Sequence, residues 1–166
     1  YFTEMSAIAH LYGGTIDKFI GDAMLIFFGD PETKGERADA QACMHMAWDM
    51  QRRLVELNAK WRAGGIEQPF RARMGINSGY CNVGNFGSSD RMDYTIIGAE
   101  ANLAARLQSV AEPGGIVLSC ETFALVRDVV EADPRPPSSR KGNSRDVVPY
   151  SVARVLDASA EKDGVV

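Results

Sequence analysis

At 166 residues, with 45% hydrophobic and 24% charged side chains, the chain has the size and composition of one soluble globular domain with a real core. A net charge of −4 excludes the general basic field that gathers nucleic acid or anionic lipid, so any phosphate site has to be local. Cys43, Cys81 and Cys120 lie far apart with no CxxC pair, which argues against a disulfide framework or a zinc site and for reduced thiols used as small core residues. The longest apolar run, Ala23 to Phe28, is too short to span a bilayer, and no signal peptide is visible, so a cytoplasmic domain is expected.

In chain order, Phe2 to Leu11 reads as the second half of a helix that Gly13 and Gly14 terminate. Together with a first residue, Tyr1, that is not an initiator methionine, this predicts a fragment of a longer polypeptide. Thr15 to Ile20 alternates Ile16, Lys18 and Ile20 against Asp17 and Phe19. Gly21-Asp22 supplies a turn and Ala23 to Phe28 a buried strand, giving a β-hairpin with a polar tip. Gly29-Asp30-Pro31 breaks it. From Arg37 to Trp61 a long helix follows, with Cys43, Ala47, Met50, Leu54, Leu57 and Trp61 forming one apolar stripe that faces a core. Gly64-Gly65 ends it.

Arg71 to Asn77 and Tyr80 to Phe86 read as a second hairpin around Ser78-Gly79, Asp93 to Ile97 as a further strand, and Glu100 to Val110 as a helix. Pro113-Gly114-Gly115 turns the chain into a strand from Ile116 to Ser119, and a short helix covers Glu121 to Val126. A Pro-, Ser- and Arg-rich stretch, Pro134 to Arg145, precedes a last strand near Val147 to Val155, and residues 157–166 read as a polar, disordered tail. The pattern predicts an α+β fold with helices covering one face of a mostly antiparallel sheet.

The opening hairpin raises a chemical question, because Lys18 and Asp22 sit in an apolar run and burying unpaired charge is costly. Taken alone, Gly-Asp is an ordinary turn dipeptide. In "RMDYTIIGAEANLAARL", Asn102 and Arg106 stand four apart and share one side of a helix, while Leu103, Leu107 and Val110 form its buried side. Taken alone, that is a solvated helix face.

In combination these stretches are recognisable. The succession "DKFIGD", "FFGDP", "MGINSG", "VGNFGSSDRMDYTIIG", "NLAAR" and "EPGGIVLS" resembles, in order and spacing from Leu11 to Val155, the catalytic domain of class III nucleotidyl cyclases, the adenylyl and guanylyl cyclase family. The resemblance implies a ferredoxin-like core over residues 1–156, a head-to-tail homodimer with each site built from both subunits, and conversion of ATP to 3′,5′-cyclic AMP and pyrophosphate with two Mg2+ or Mn2+ ions. It implies that Asp22 is one of two metal-binding aspartates, that Lys18 and Thr95 read the adenine edge, that Asn102 positions the ribose, and that Arg106 steadies charge on the α-phosphate. Lys with Thr is an adenylyl-type pair and is similar to the bicarbonate-responsive class IIIb branch, whereas guanylyl cyclases typically carry Glu and Cys.

Two departures accompany the match. The family's first metal aspartate lies on a strand upstream of the hairpin, before this chain starts, so the fragment is expected to lack its first strand and to be inactive alone. Where many members carry a phosphate-binding lysine, "RKGNSRDVVPY" places Asn143 beside Lys141 and Arg145. Arg145 is the candidate for the β- and γ-phosphates, with a solvated basic loop as the alternative. The parent protein is expected to carry an upstream regulatory or sensor domain, and its membrane anchoring is left open. The rival readings are a catalytically inactive regulatory or dimerisation domain and a guanylyl cyclase. A diguanylate cyclase lacks support because no GGDEF run occurs, and an RNA-binding module lacks its aromatic, basic surface.

Overall fold

The computed structural model describes residues 2–29, 32–65, 70–80, 82–86, 93–135 and 148–156, with 82–86 and 93–97 described as backbone. The expected tail at 157–166 and the basic stretch carrying Lys141, Asn143 and Arg145 lie outside the described residues. Helix α1 (Phe2–Leu11) leads into a hairpin of β1 (Thr15–Ile20) and β2 (Ala23–Phe27), then into the long helix α2 (Glu36–Ala63). Next come β3 (Met74–Ile76), β4 (Asn82–Phe86), β5 (Asp93–Ile97), α3 (Ala99–Val110), β6 (Ile116–Leu118), α4 (Cys120–Val126), β7 (Val130–Pro134) and β8 (Tyr150–Val155). Most of these elements fall where hydrophobic periodicity and turn residues put them.

Three ladders form among the described residues: β1 with β2, β4 with β5, and a four-stranded sheet in the order β3-β6-β8-β7. Four of the five pairings are antiparallel, and β3 with β6 is parallel. The second expected hairpin is therefore corrected: β3 does not pair with β4, whose partner is β5. The stretch "NSGY" is polar and glycine-containing like a hairpin turn, but the stronger partner for β4 lies across the following loop, with Gly84 opposite Thr95. Strand β7 has no counterpart in the sequence reading, because Glu131, Asp133 and Pro134 dilute its apolar pattern; its ladder with β8 holds it.

Helices cover both faces of the four-stranded sheet, which also corrects the one-faced expectation. On one side Ile76, Ile116, Leu118, Val130 and Val155 pack with Ala40, Met44 and Ala47 of α2 and Val126 of α4. On the other, Val117 packs with Leu107 of α3 and Ala111. Successive side chains of a strand point to opposite faces, so β6, buried at every position, reads as an unbroken apolar run of the kind that two-sided burial demands.

Helix α2 joins the parts of the molecule. Its first half lies on the four-stranded sheet, while Met46, Met50, Leu54 and Leu57 pack with Met5 and Ala9 of α1 and with Ile16, Met24 and Ile26 of the hairpin. Gln51 Nε2 donates to the carbonyls of Ala72 at 3.0 Å and Gly115 at 3.3 Å, and Asn58 exchanges two hydrogen bonds of 2.8 Å with the backbone of Phe70. Of the cysteines, Cys43 is half-buried on α2 and burial pushes its thiol up to about 12, so it fills space and is not a nucleophile at neutral pH. Cys120 is exposed at the start of α4, contrary to the core role expected of it. No described helix is long and apolar enough to cross a membrane.

Candidate active site

The β1–β2 hairpin closes through Gly21 at φ 62°, and every non-glycine residue described has negative φ, Asp22 included. Glycine first with positive φ, followed by an ordinary residue, is the type II′ pattern, whose twist suits a two-residue hairpin. The turn leaves the Asp22 carboxylate exposed at the tip. Behind it, the register shifts between Ile16 and Lys18, so that Asp17 is an extra residue bulged out of the ladder. The simple alternation expected along β1 is thereby broken, since a bulge re-aims the side chains on either side of it. Lys18, just past the bulge, is exposed. Among the described residues neither Lys18 nor Asp22 makes a hydrogen bond or ion pair to another side chain.

Strand β1 lies against β5, with Cα atoms of the two within 8 Å. The strand bearing Lys18 and the strand bearing Thr95 are thus neighbours within one copy of the chain. Strand β5 then runs through Gly98 directly into α3, which carries Asn102 and Arg106. Asn102 is exposed and Arg106 half-buried. Being four residues apart on a helix, they project within about 40° of each other. The opposite side of α3 holds Leu107, with Leu103 and Val110 packed around it. Among the described residues no acceptor engages the Arg106 guanidinium; only its carbonyl is used, accepting from Ser109 Oγ at 2.7 Å. A partly desolvated cation left without an anion is a place where an anionic ligand gains most.

Helix α3 rests on β3 and β6, whereas the hairpin rests on α1, α2 and β5. No hydrogen bond or ion pair among the described residues joins Asp22 to Asn102 or Arg106. The remaining electrostatic pairs lie elsewhere on the surface. Hydrogen bonding to Arg53 holds the Glu4 carboxyl below the usual carboxylate range, and hydrogen bonding to Arg154 does the same for Glu131.

For a divalent metal, the donor set is thin. No group of three or more His, Cys, Asp or Glu side chains occurs among the described residues. A single exposed carboxylate suits one ligand of a magnesium ion that takes its other ligands from phosphate oxygens and water, which is how magnesium is usually held at nucleotide sites. It does not by itself make a cage for two ions.

The sequence reading passed over Asn77 and Glu100. Asn77 follows β3 and donates from Nδ2 to the carbonyl of Glu100 at 2.9 Å and to its carboxylate at 2.5 Å. An asparagine directly after a buried strand could have flagged a side-chain tie, but nothing in the sequence pointed it at residue 100.

Known proteins resemble this chain in sequence and in fold. The family of the adenylate and guanylate cyclase catalytic domain matches residues 2–153. Adenylate cyclase 1 of Rhizobium meliloti (strain 1021) is 31% identical over 160 residues, covering 95% of this chain and 24% of its own length, so the chain spans about a quarter of that relative. Among solved structures, the adenylyl cyclase CyaB from P. aeruginosa superimposes with a TM-score of 0.89 at 51% identity, covering 93% of this chain and 79% of that one. The guanylyl cyclase Cya2 does so with a TM-score of 0.87 at 35% identity, over 95% and 79%. With the motifs, the α+β fold and these likenesses in register, the chain belongs to the class III adenylyl and guanylyl cyclase catalytic domain family.

Proposed function

We propose that this chain is the catalytic domain of an adenylyl cyclase, which converts ATP to 3′,5′-cyclic AMP and pyrophosphate at a site shared by two copies. The observation that carries the reading is the contiguity of β1, β5 and α3. It supports one copy supplying Lys18, Thr95, Asn102 and Arg106 together; that the partner's Asp22 supplies a metal ligand rests on the head-to-tail dimer that the family resemblance implies. The second carboxylate that the family resemblance implies would come from a strand upstream of the hairpin.

In the reaction the ribose 3′-oxygen attacks the α-phosphorus in line; the new O–P bond closes the ring and the bond to pyrophosphate breaks. Divalent metal bound at Asp22 would supply the acidification of the 3′-hydroxyl and the charge to hold the triphosphate. Asn102 would hold the ribose so that its 3′-oxygen faces phosphorus, which converts a rare encounter into a bound geometry. Arg106, with no competing acceptor among the described residues, would face the non-bridging oxygens where negative charge grows. Arg145 is proposed for the β- and γ-phosphates.

Base choice follows from hydrogen-bond polarity. Adenine presents a ring-nitrogen acceptor beside an amino donor; Lys18 donates and Thr95 can accept, so the pair is complementary. Guanine presents the reverse, a ring N–H beside a carbonyl, so a Lys18 ammonium aligned with the ring nitrogen would meet another donor, which favours adenine over the substrate of the guanylyl cyclase likeness. The test is nucleotide preference in the full-length protein. The parent should favour ATP over GTP, and Lys18→Glu combined with Thr95→Cys should shrink that preference by about tenfold or more, the size of one lost or inverted hydrogen-bond pair. An unchanged preference would remove both residues from base selection, and a parent with no turnover on either nucleotide would favour an inactive regulatory domain.

A further inference from the structure

Helix α3 is held unusually firmly for an element with an exposed face. Its middle presses on β3: a Cβ built on Gly75 would fall 2.3 Å from the Gln108 amide nitrogen and 2.4 Å from the Ala104 carbonyl, so backbone meets backbone there. Its C-terminal end is capped by Arg135, which donates to the Val110 carbonyl at 2.6 Å. Its N-terminal turn has no side-chain cap of its own, the N-cap residue being Gly98. The segment after β3 ties that turn down from outside, through the acceptors of Glu100 and not through the free N–H groups.

Asn77 reaches Glu100, the second residue of the helix, with both an amide-to-carbonyl and an amide-to-carboxylate hydrogen bond, 2.9 and 2.5 Å long. The neighbouring residues leave it little freedom. Ser78 Oγ bonds the buried Thr122 Oγ1 at 2.8 Å, which in turn is tied to Ser119 Oγ at 3.0 Å. A Cβ on Gly79 would lie 2.6 Å from the Glu100 side chain, so the backbone passes directly over that carboxylate. The acceptor end of the same amide, Asn77 Oδ1, is buried without a hydrogen-bond partner.

We infer that Asn77 is a positioning residue for the cyclase site: by gripping Glu100 it fixes the first turn of α3, and through it the placement of Asn102 and Arg106. The inference rests on the proposed function for its catalytic half and on the geometry alone for its mechanical half. Glu100 itself points away from the reacting groups, since Asn102 and Arg106 lie about 200° and 240° around the helix from it at 100° per residue. The clamp therefore acts through the helix and not by touching substrate.

The experiment uses the full-length protein with Asn77→Asp, which sets a carboxylate against both the carboxylate and the carbonyl of Glu100, and the double variant Asn77→Asp with Glu100→Gln, which restores the side-chain pair with the roles exchanged but not the bond to the residue-100 carbonyl. Hydrogen exchange at the amides of Asn102 and Leu103 should quicken in the single variant and return part of the way in the double, while α2 exchanges as in the parent. With ATP, the single variant should lose turnover by ~10- to 100-fold, as expected for a displaced catalytic group, with KM little changed, and the double should recover part of it. Unaltered exchange in the single variant, or faster exchange with undiminished turnover in an active parent, overturns the inference. If the parent makes no cyclic nucleotide, the proposed function fails, and the exchange measurements still decide whether the clamp exists.

Discussion

The hairpin and helix α3 carry the candidate site in opposite ways. At the hairpin, local chemistry does the shaping: a glycine at φ 62° and a bulged Asp17 present Lys18 and Asp22, both exposed and without partners among the described residues. On α3, distant contacts do it: β3 below, Asn77 at one end and Arg135 at the other. The difference teaches that a domain can expose the groups meant to meet metal and base where solvent and a second subunit can reach them, while fixing rigidly the groups that face the reacting phosphorus. Under the proposed function, metal and nucleotide would supply the hairpin's missing partners and α3 would have to be in place beforehand, because preorganisation is what makes a fixed cation effective in a transition state.

The largest effect that would break this contrast concerns Arg106. Arg106→Ala should lower kcat by ~10²- to 10³-fold while ATP binding weakens far less, as for other groups engaged chiefly in the transition state. Measured by steady-state kinetics and equilibrium ATP binding, equal losses in both would mean that Arg106 holds ground-state substrate and that α3 has no special task.

A smaller effect separates the regions by stability. Gly75→Ala inserts a methyl where backbone already meets backbone and should cost about 1–3 kcal/mol or more in urea unfolding, the usual range for overpacking. Asp22→Ala, at an exposed turn and without a side-chain partner among the described residues, should stay within about 0.5 kcal/mol of the parent. Comparable losses would show that the hairpin is as tightly built as the helix.

The same contrast explains what could be read from the sequence. Short-range signals sufficed for the hairpin, for the apolar stripe of α2 and for the four-residue spacing of Asn102 and Arg106, because each is fixed by turn chemistry or by helical period. They failed where partners are remote. Tyr80 to Phe86 looks like the return strand of Arg71 to Asn77, yet β4 pairs with β5 and β3 with β6. Strand β7 is invisible without β8, and the bulge at Asp17 leaves no mark in the alternation of Ile16, Lys18 and Ile20. The Asn77–Glu100 tie spans 23 positions and belongs to the same class. The motifs name the family and the candidate site residues, but the geometry that joins the motifs is tertiary.

The central claim is that one active site draws on two copies of this domain, and complementation tests it most directly. Full-length Asp22→Ala and Arg106→Ala proteins should each be nearly inactive. Mixed under conditions where heterodimers are demonstrated, they should regain about a quarter of parental turnover on equal random pairing, because half the dimers would hold one intact site of two. Heterodimers that form and stay as inactive as either parent variant would contradict a site assembled from both subunits.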